Sequence, residues 1–427
     1  VIGTVAIGLM YIAIKPVFGR TASIATAITL AVVPASVIID SRNEPDSLVS
    51  LSLVCAALSL ILTIKTGRWR WLLLFAIMTG IAFNAKMLVG FVALPAFFLY
   101  YLIATKQKNS ETALRIVTTI TIILAVSLSW VIFVDLTSKE KRPYIGSTSD
   151  NSIWTLIIEY NGLRRFTSFA GPPRNTNPQI GVSTYRPNNP MTRDTSQGRY
   201  TPQPTRPTLP EQTSPPQSST EKPGLLSLFK TPMSDQLGWA LPFAILMGGV
   251  TLINLLGNLG KSVYQRPRSI FTYLKNSSTA SQSLLWIGWF STSLVIFGVA
   301  SATMSHPYYL VGIAAPMAAV IGIGFSQIVS GFSKNRVSAW VATGLVLTGI
   351  VFEIYGAWPK VSELSITLVI IIISFGSLVI VNGIRKGFND QPLTKVSFLI
   401  LAASMLVIPF TASLSANGRI VGNTQNI

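Results

Sequence analysis

Four ionisable residues crowd into IIDSRNEPDSLV, residues 38–49, with apolar runs on either side: Asp40, Arg42, Glu44 and Asp46. Charge at the end of a membrane span is costly unless it is hydrated or paired, and it marks a candidate functional site by default. A plainer reading stands beside it, in which Pro45 ends one helix, Asp46 or Ser47 caps the next, and Arg42 snorkels to water. Lys86, in FNAKMLVG, is a second anomaly: an ammonium between two apolar runs with no charge in its flanks. It can snorkel to lipid headgroups, or offer a point charge to a phosphate arriving through the bilayer. SHPYYLVGIAAP, residues 305–316, holds the single histidine, His306, beside Tyr308 and Tyr309; interfacial tyrosines form ordinary aromatic belts, and a lone histidine is often structural. KRPYIG, residues 141–146, adds Arg142 and Tyr144 at the start of a long polar segment.

The elements that must position these groups are membrane helices. Of the 427 residues, 49% are hydrophobic and 11% charged, against roughly 25% charged in a soluble domain. Apolar runs of about 20 residues recur along the chain, the length that crosses a hydrocarbon core roughly 30 Å thick. Spans are expected at residues 1–19, 21–38, 47–64, 71–85, 87–104, 114–134, 236–256, 283–303, 308–329, 338–358, 366–384 and 396–414, twelve in all. The expected fold is therefore all-α, a polytopic transmembrane helix bundle. One cysteine, Cys55, leaves neither a disulfide framework nor a thiol metal site.

Loop charge orients the bundle. Connections after the first, third, fifth, seventh, ninth and eleventh spans carry, with their flanks, seventeen cations: Lys15, Arg20, Lys65, Arg68, Arg70, Lys106, Lys108, Arg115, Lys261, Arg266, Arg268, Lys275, Lys334, Arg336, Arg385, Lys386 and Lys395. Short segments of opposite parity carry four, Arg42, Lys86, Lys360 and Arg419. The cation-rich side is read as cytoplasmic. The same bias supports splitting residues 71–104 at Lys86, because a single span there would reverse every later loop. The net charge of +18 is thus mostly topology, and its dispersal argues against a nucleic-acid surface.

Five regions follow: residues 1–134, six N-terminal spans; 135–171, an ordered extracytoplasmic loop with an interfacial amphipathic helix in SIWTLIIEYNGL; 172–222, a disordered Pro/Thr/Ser-rich insert; 223–414, six further spans; and 415–427, an extracytoplasmic tail. The chain opens inside an apolar run, VIGTVAIGLMYIAIK, so the natural protein is expected to extend upstream. No P-loop and no solenoid repeat is present, which weighs against a nucleotide-driven pump. Acids, cations and hydroxyls collect on the outer face, the arrangement of a site for a phosphorylated lipid.

Residues FGRTASIATAITLAVVPASVIIDSRNEPDSLVSLSLVCA, GIAFNAKMLVGFVALPA, RPYIGSTSDNSIWTLIIEYNGLRRF, LLSLFKTPMSDQLGWALPFAIL and SHPYYLVGIAAPMAAVIG together resemble the bacterial branch of glycosyltransferase family 39. These are GT-C membrane enzymes related to protein O-mannosyltransferases and the lipid A aminoarabinose transferase. The resemblance covers about two-thirds of the chain, and RPYIG followed by NS and YNGL is its most specific part. It implies transfer of a hexosyl or pentosyl group from a polyprenyl-phosphate donor, outside the bacterial cytoplasmic membrane, with inversion. The acceptor is left open among protein, wall polymer and lipid. The family's general base, an acid in the first outer loop, would lie before Val1. Lys86, Arg42 and Arg142 are the candidates for the donor phosphate; Glu44, Asp46, Tyr144, Asn161, His306 and Tyr309 are those for sugar or acceptor. Glu44 and Asp46 are also the residues that would hold a divalent ion, a question left open because some relatives work without metal. If Lys86 serves the phosphate alone, Lys86→Met should leave folding intact. The competing reading is a secondary transporter or flippase, which should carry its charges near the bilayer midplane.

Overall fold

The computed structural model describes residues 1–42, 44–138, 141–145, 148, 150–158, 228–229, 237, 240–265, 270–300, 310–357, 363–387, 391–407, 410–411 and 413. All regular structure among them is helical, as apolar runs in a bilayer require, because a helix satisfies its own backbone. In order these are α1 (Ile2–Val32), α2 (Pro34–Asp40), α3 (Asp46–Thr66), α4 (Trp69–Lys86), a 3-10 turn (Met87–Phe91), α5 (Leu94–Ala104) and α6 (Asn109–Leu136). The second half holds α7 (Ala240–Gln265), α8 (Ile270–Asn276), α9 (Ser278–Ala300), α10 (Val311–Phe332), α11 (Arg336–Ala357), α12 (Glu363–Arg385) and α13 (Pro392–Ala403).

Two reversals near the N-terminus set the candidate site. Gly19, at φ 84° and ψ −179°, interrupts α1, a conformation that glycine adopts without steric cost. The chain folds back there, so that Gly3 abuts the Asp40 carboxylate too closely for any Cβ. The first two expected spans are thus a hairpin closed at Gly19. The second reversal is at Lys86, where the sequence placed a break. Phe83 stacks on Phe91 at 4.8 Å and Phe75 meets Phe97 edge-on at 5.7 Å. Falling numbers on α4 therefore pair with rising ones on α5, and the two run antiparallel.

Helix α10 is the centre of the bundle. Every residue from Val311 to Gly324 is buried, the mark of a helix apolar all round. It packs mainly on α1 and α7, and small residues allow the approach: a Cβ on Gly322 would lie 2.6 Å from the Ala22 carbonyl oxygen. Around this core the outward faces stay apolar, with Phe133, Ile253 and Phe375 exposed, as expected where lipid is the solvent.

The count of twelve spans is not established. Among the described residues, eight helices are long and apolar enough to cross a membrane, and Leu94–Ala104, Val369–Arg385 and Pro392–Leu406 are shorter apolar helices. The 11 residues of α5 rise about 16 Å, roughly half a hydrocarbon core. The Ile2–Val32 helix is one of the eight although it turns at Gly19. The expected insert 172–222 and tail 415–427 lie outside the described residues.

Close packing of α10 on α1 is testable by size. Gly322→Val should cost about 1–3 kcal/mol as an overpacked core does, lowering the thermal midpoint in detergent by several degrees. Gly8, which has open space where a Cβ would go, should accept alanine with no loss. Equal midpoints for the two variants would contradict this packing.

Candidate phosphate site at the α3–α4 ends

Asp46 opens α3 and Lys86 closes α4, two helices joined by a short turn at their other ends. Antiparallel packing therefore returns residue 86 to the level of residue 46. Lys86 Nζ donates to both oxygens of Asp46 at 2.5 Å. Their side chains are 16% and 2% exposed, so this is a buried pair and not a surface contact. No side-chain cap bond forms at the start of α3, so the capping role considered for Asp46 is not seen. Its carboxylate still suits the first turn, where the helix dipole favours negative charge.

The remaining acids of the cluster divide by exposure. Asp40 Oδ1 accepts a hydrogen bond from Ser47 Oγ at 2.6 Å, tying the end of α2 to α3. Burial pushes the Asp40 carboxyl above its ordinary range, and the Ser47 bond opposes that shift. Arg42 and Glu44 approach to 3.6 Å with side chains 46% and 30% exposed, a pair of the solvated kind that contributes little. A divalent ion does not fit this set. Both Asp46 oxygens are engaged by Lys86, and no three His, Cys, Asp or Glu gather among the described residues.

The backbone at Lys86 is unusual. Lys86 sits at φ −153° and ψ 38°, and Met87 follows at φ 46° and ψ −129°. A non-glycine residue with positive φ is uncommon, and such strain persists where the surroundings over-determine it. Here those surroundings are visible. Asn84 Nδ2 donates to the Val126 carbonyl at 2.8 Å, fixing the end of α4 on α6. Above the turn, Ile153 and Ile157 bury against Phe83 and Val131, with Met87, Phe91 and Ile145 packed alongside. Residues 153–158 are helical, so the expected amphipathic element is present in its first turns, with Trp154 and Ile158 facing out. Leu163 lies outside the described residues.

Arg142 differs from its expected role. Its Nε donates to Thr137 O, its Nη1 to Asp135 Oδ1 and Asn151 O, and its Nη2 to Asp135 O and Thr137 O. A guanidinium has five N–H donors, and these bonds use every one. The residue therefore holds the loop together and has no donor left for a phosphate. Asn151, at φ 55°, also accepts from the Ile145 N–H at 2.7 Å. Arg142, Ile145 and Asn151, from RPYIG and the following NS, are thus parts of one loop knot that fastens the cover over Met87. Tyr144 is 77% exposed, and Asn161, His306 and Tyr309 lie outside the described residues.

One residue was passed over in the sequence. Glu353, in α11, is 2% exposed, and its Oε2 has no hydrogen-bond partner among the described residues. It lines a cavity of about 380 Å³, mostly apolar, whose walls include Arg20, Thr29, Val33, Phe243 and Met405. Asp40, Asp46 and Lys86 are not among its walls. A lone acid in LTGIVFEIYGAW was the available signal, since a carboxylate inside a span is a functional candidate by default.

The pairing reverses the expectation that Lys86→Met leaves folding intact, because that change strands Asp46 in a dry site. Removing one partner of a buried pair costs about 3–5 kcal/mol, whereas replacing both with apolar residues is often neutral. Lys86→Met should therefore lower the thermal midpoint markedly, and Lys86→Met/Asp46→Leu should recover most of it. A double variant as unstable as the sum of the single ones would show that the two residues are not coupled.

Comparison with known proteins adds partial likenesses. Residues 1–133 match the family described as dolichyl-phosphate-mannose-protein mannosyltransferase. The "Putative mannosyltransferase YkcB" of Bacillus subtilis (strain 168) is 29% identical over 83% of this chain and 54% of its own length. "Putative mannosyltransferase YycA" of the same strain is 28% identical over 95% of the chain and 63% of its own. The chain thus spans between half and two-thirds of the curated relatives it matches. The crystal structure of ArnT from Cupriavidus metallidurans bound to undecaprenyl phosphate aligns over 98% of this chain and 62% of that one, with 13% identity and a TM-score of 0.46. That likeness is too loose to carry an argument. The family match covers the Asp46–Lys86 pair and the two relatives align well beyond it, so the chain is similar to mannosyltransferase-like proteins, and its apolar helices are those of a multi-pass membrane protein.

Proposed function

We propose that the chain transfers a sugar from a polyprenyl-phosphate donor to an acceptor at the extracytoplasmic face of the bacterial cytoplasmic membrane, with inversion. The observation that carries this reading is the buried Lys86–Asp46 pair at a strained turn, inside the family-matching segment. In transfer, the acceptor hydroxyl attacks the anomeric carbon while its proton passes to a base. The bond from that carbon to the phosphate oxygen breaks, and its electron pair leaves on the polyprenyl phosphate. Lys86 meets the charge that develops there, and a cation already fixed in place does so without reorganising. Asp46 is its positioning residue. Arg42 and Glu44, at the watery edge, are placed to meet sugar hydroxyls or the phosphate rim. No residue of this chain is assigned as the base, and the sugar is a hexose or pentose.

The apolar cavity beside α1 supports a lipid-borne donor. Its walls follow α1 from Arg20 to Val33, and α2 then continues to Asp40, about 10 Å further by helix rise. An isoprenoid tail entering from the bilayer would lie along this course with its phosphate toward Lys86. Glu353 favours a second reading, a lipid or solute flippase, because a buried carboxylate lining a cavity within the membrane helices is common in transport paths.

Full-length protein incubated with labelled polyprenyl-phosphate sugars tests the proposal. Lys86→Arg should keep part of the transfer activity, and the folded Lys86→Met/Asp46→Leu variant should lose roughly 10²-fold or more. Normal turnover by that double variant at saturating donor would remove Lys86 from the mechanism. Glu353→Gln should leave transfer within a few-fold; its selective loss of lipid translocation would favour the flippase. Sidedness has its own check. Ser41, which is exposed, replaced by cysteine in a Cys55→Ser background should react with an impermeant maleimide in intact cells, and labelling only after lysis would invert the orientation.

A further inference from the structure

Three cations that the sequence assigned to topology alone share one cavity. Lys65, Lys106 and Arg115 line a pocket of about 190 Å³ with Thr63, Gly67, Tyr101, Thr105 and Gln107. It sits where the end of α3, the end of α5 and the start of α6 converge. Asp46 opens α3 and Lys65 nearly closes it, so the pocket lies about 29 Å by helix rise from the phosphate site proposed above. At that size it is smaller than the ~300–1,000 Å³ of drug-sized sites and suits a single head group.

Part of the lining is rigid. The Arg115 side chain is 4% exposed; its Nε and Nη2 donate to Glu111 Oε1 at 3.0 and 2.8 Å, and Nη2 also donates to Gly67 O at 2.8 Å. Its guanidinium lies over the Trp69 ring at 4.8 Å. Tyr101 is 3% exposed, and its hydroxyl lies beside Thr105 and Arg115 without the close, well-aligned geometry of a full hydrogen bond to either. A buried hydroxyl is normally well bonded, and one held only loosely by its neighbours at the wall of a basic cavity has a donor to offer an anion that enters. Lys65 and Lys106 are exposed and free to swing over whatever enters. Glu111 leaves the group with a net positive charge.

We infer that this cavity binds a phosphate-class anion, with Arg115 and Tyr101 as its floor and Lys65 and Lys106 as its clasp. Basic pockets between membrane helices take anionic head groups, and lysine is a general phosphate ligand through point charge. The anion arrives either as the head group of an anionic phospholipid or as a soluble phosphate. The inference does not depend on the transfer reaction.

Full-length protein in phosphatidylcholine nanodiscs, titrated with pyrophosphate and followed by thermal midpoint, tests the soluble source. Nanodiscs containing phosphatidylglycerol, with retained lipid counted by native mass spectrometry, test the lipid source. Lys65→Gln/Lys106→Gln should weaken whichever ligand binds by about tenfold or more, and Tyr101→Phe should weaken it by a few-fold. Lys15→Gln/Lys334→Gln, which removes equal charge elsewhere on that face, should match wild type. Binding of either ligand with this pattern supports the site, and the responding arm names the source. Equal weakening by both double variants would mean diffuse attraction and overturn it, as would the absence of saturable binding in both arms.

Discussion

A charge cannot stay at the edge of a hydrocarbon layer unless something keeps it, and here the keeper of Lys86 is Asp46. The ammonium and the carboxylate belong to the far ends of two helices, so the pair can form only if α3 and α4 pack antiparallel in one register. It also fixes where α4 must stop. The chain then leaves through a turn that no regular helix would tolerate, with Met87 at positive φ. Buried pairs of this kind add little net stability, because desolvation offsets most of their attraction. What they do supply is position. A lysine held by two short bonds presents its charge in one place, which is what a transferring phosphate requires and what a freely snorkelling side chain would not give.

The loop after α6 completes this arrangement. Arg142 gathers three carbonyl groups and one carboxylate into a knot, and Asn151 ties back to Ile145. From that anchor, Ile153 and Ile157 reach down onto Phe83 and Met87. The apolar cover packs on the residues that flank Lys86, whose side chain is 16% exposed, and a drier environment strengthens every charge interaction in reach. Residues most characteristic of the family resemblance thus turn out to build the cover, and the buried Lys86–Asp46 pair lies in a less distinctive stretch.

Much of this was legible in the sequence. Apolar runs predicted the helices, and the break expected at Lys86 is where α4 ends. Isolated charges at 40–46 and 86 were recognised as anomalies, but their pairing was not, because two residues 40 positions apart reveal no contact without an alignment or a register. Arg142 was read as a phosphate ligand for a related reason: a guanidinium beside a polar loop reads the same whether it faces a ligand or four local acceptors. Glu353 was overlooked because one acid barely changes the hydropathy of a span. Lengths were the weakest reading, since α5 is apolar yet only half a bilayer long, and hydropathy does not register where a helix bends. Asn161, His306 and Tyr309 lie outside the described residues and stand as expectations.

Capture of a lipid phosphate by the Lys86–Asp46 pair is the central claim, and affinity for that lipid tests it more directly than turnover does. Native mass spectrometry of the full-length protein with a short polyprenyl phosphate would give that affinity. Wild type should bind saturably, and the folded Lys86→Met/Asp46→Leu variant should bind at least about tenfold more weakly, the loss expected when a fixed charge contact worth about 1.4 kcal/mol or more is removed. Equal affinity in the two proteins would contradict it.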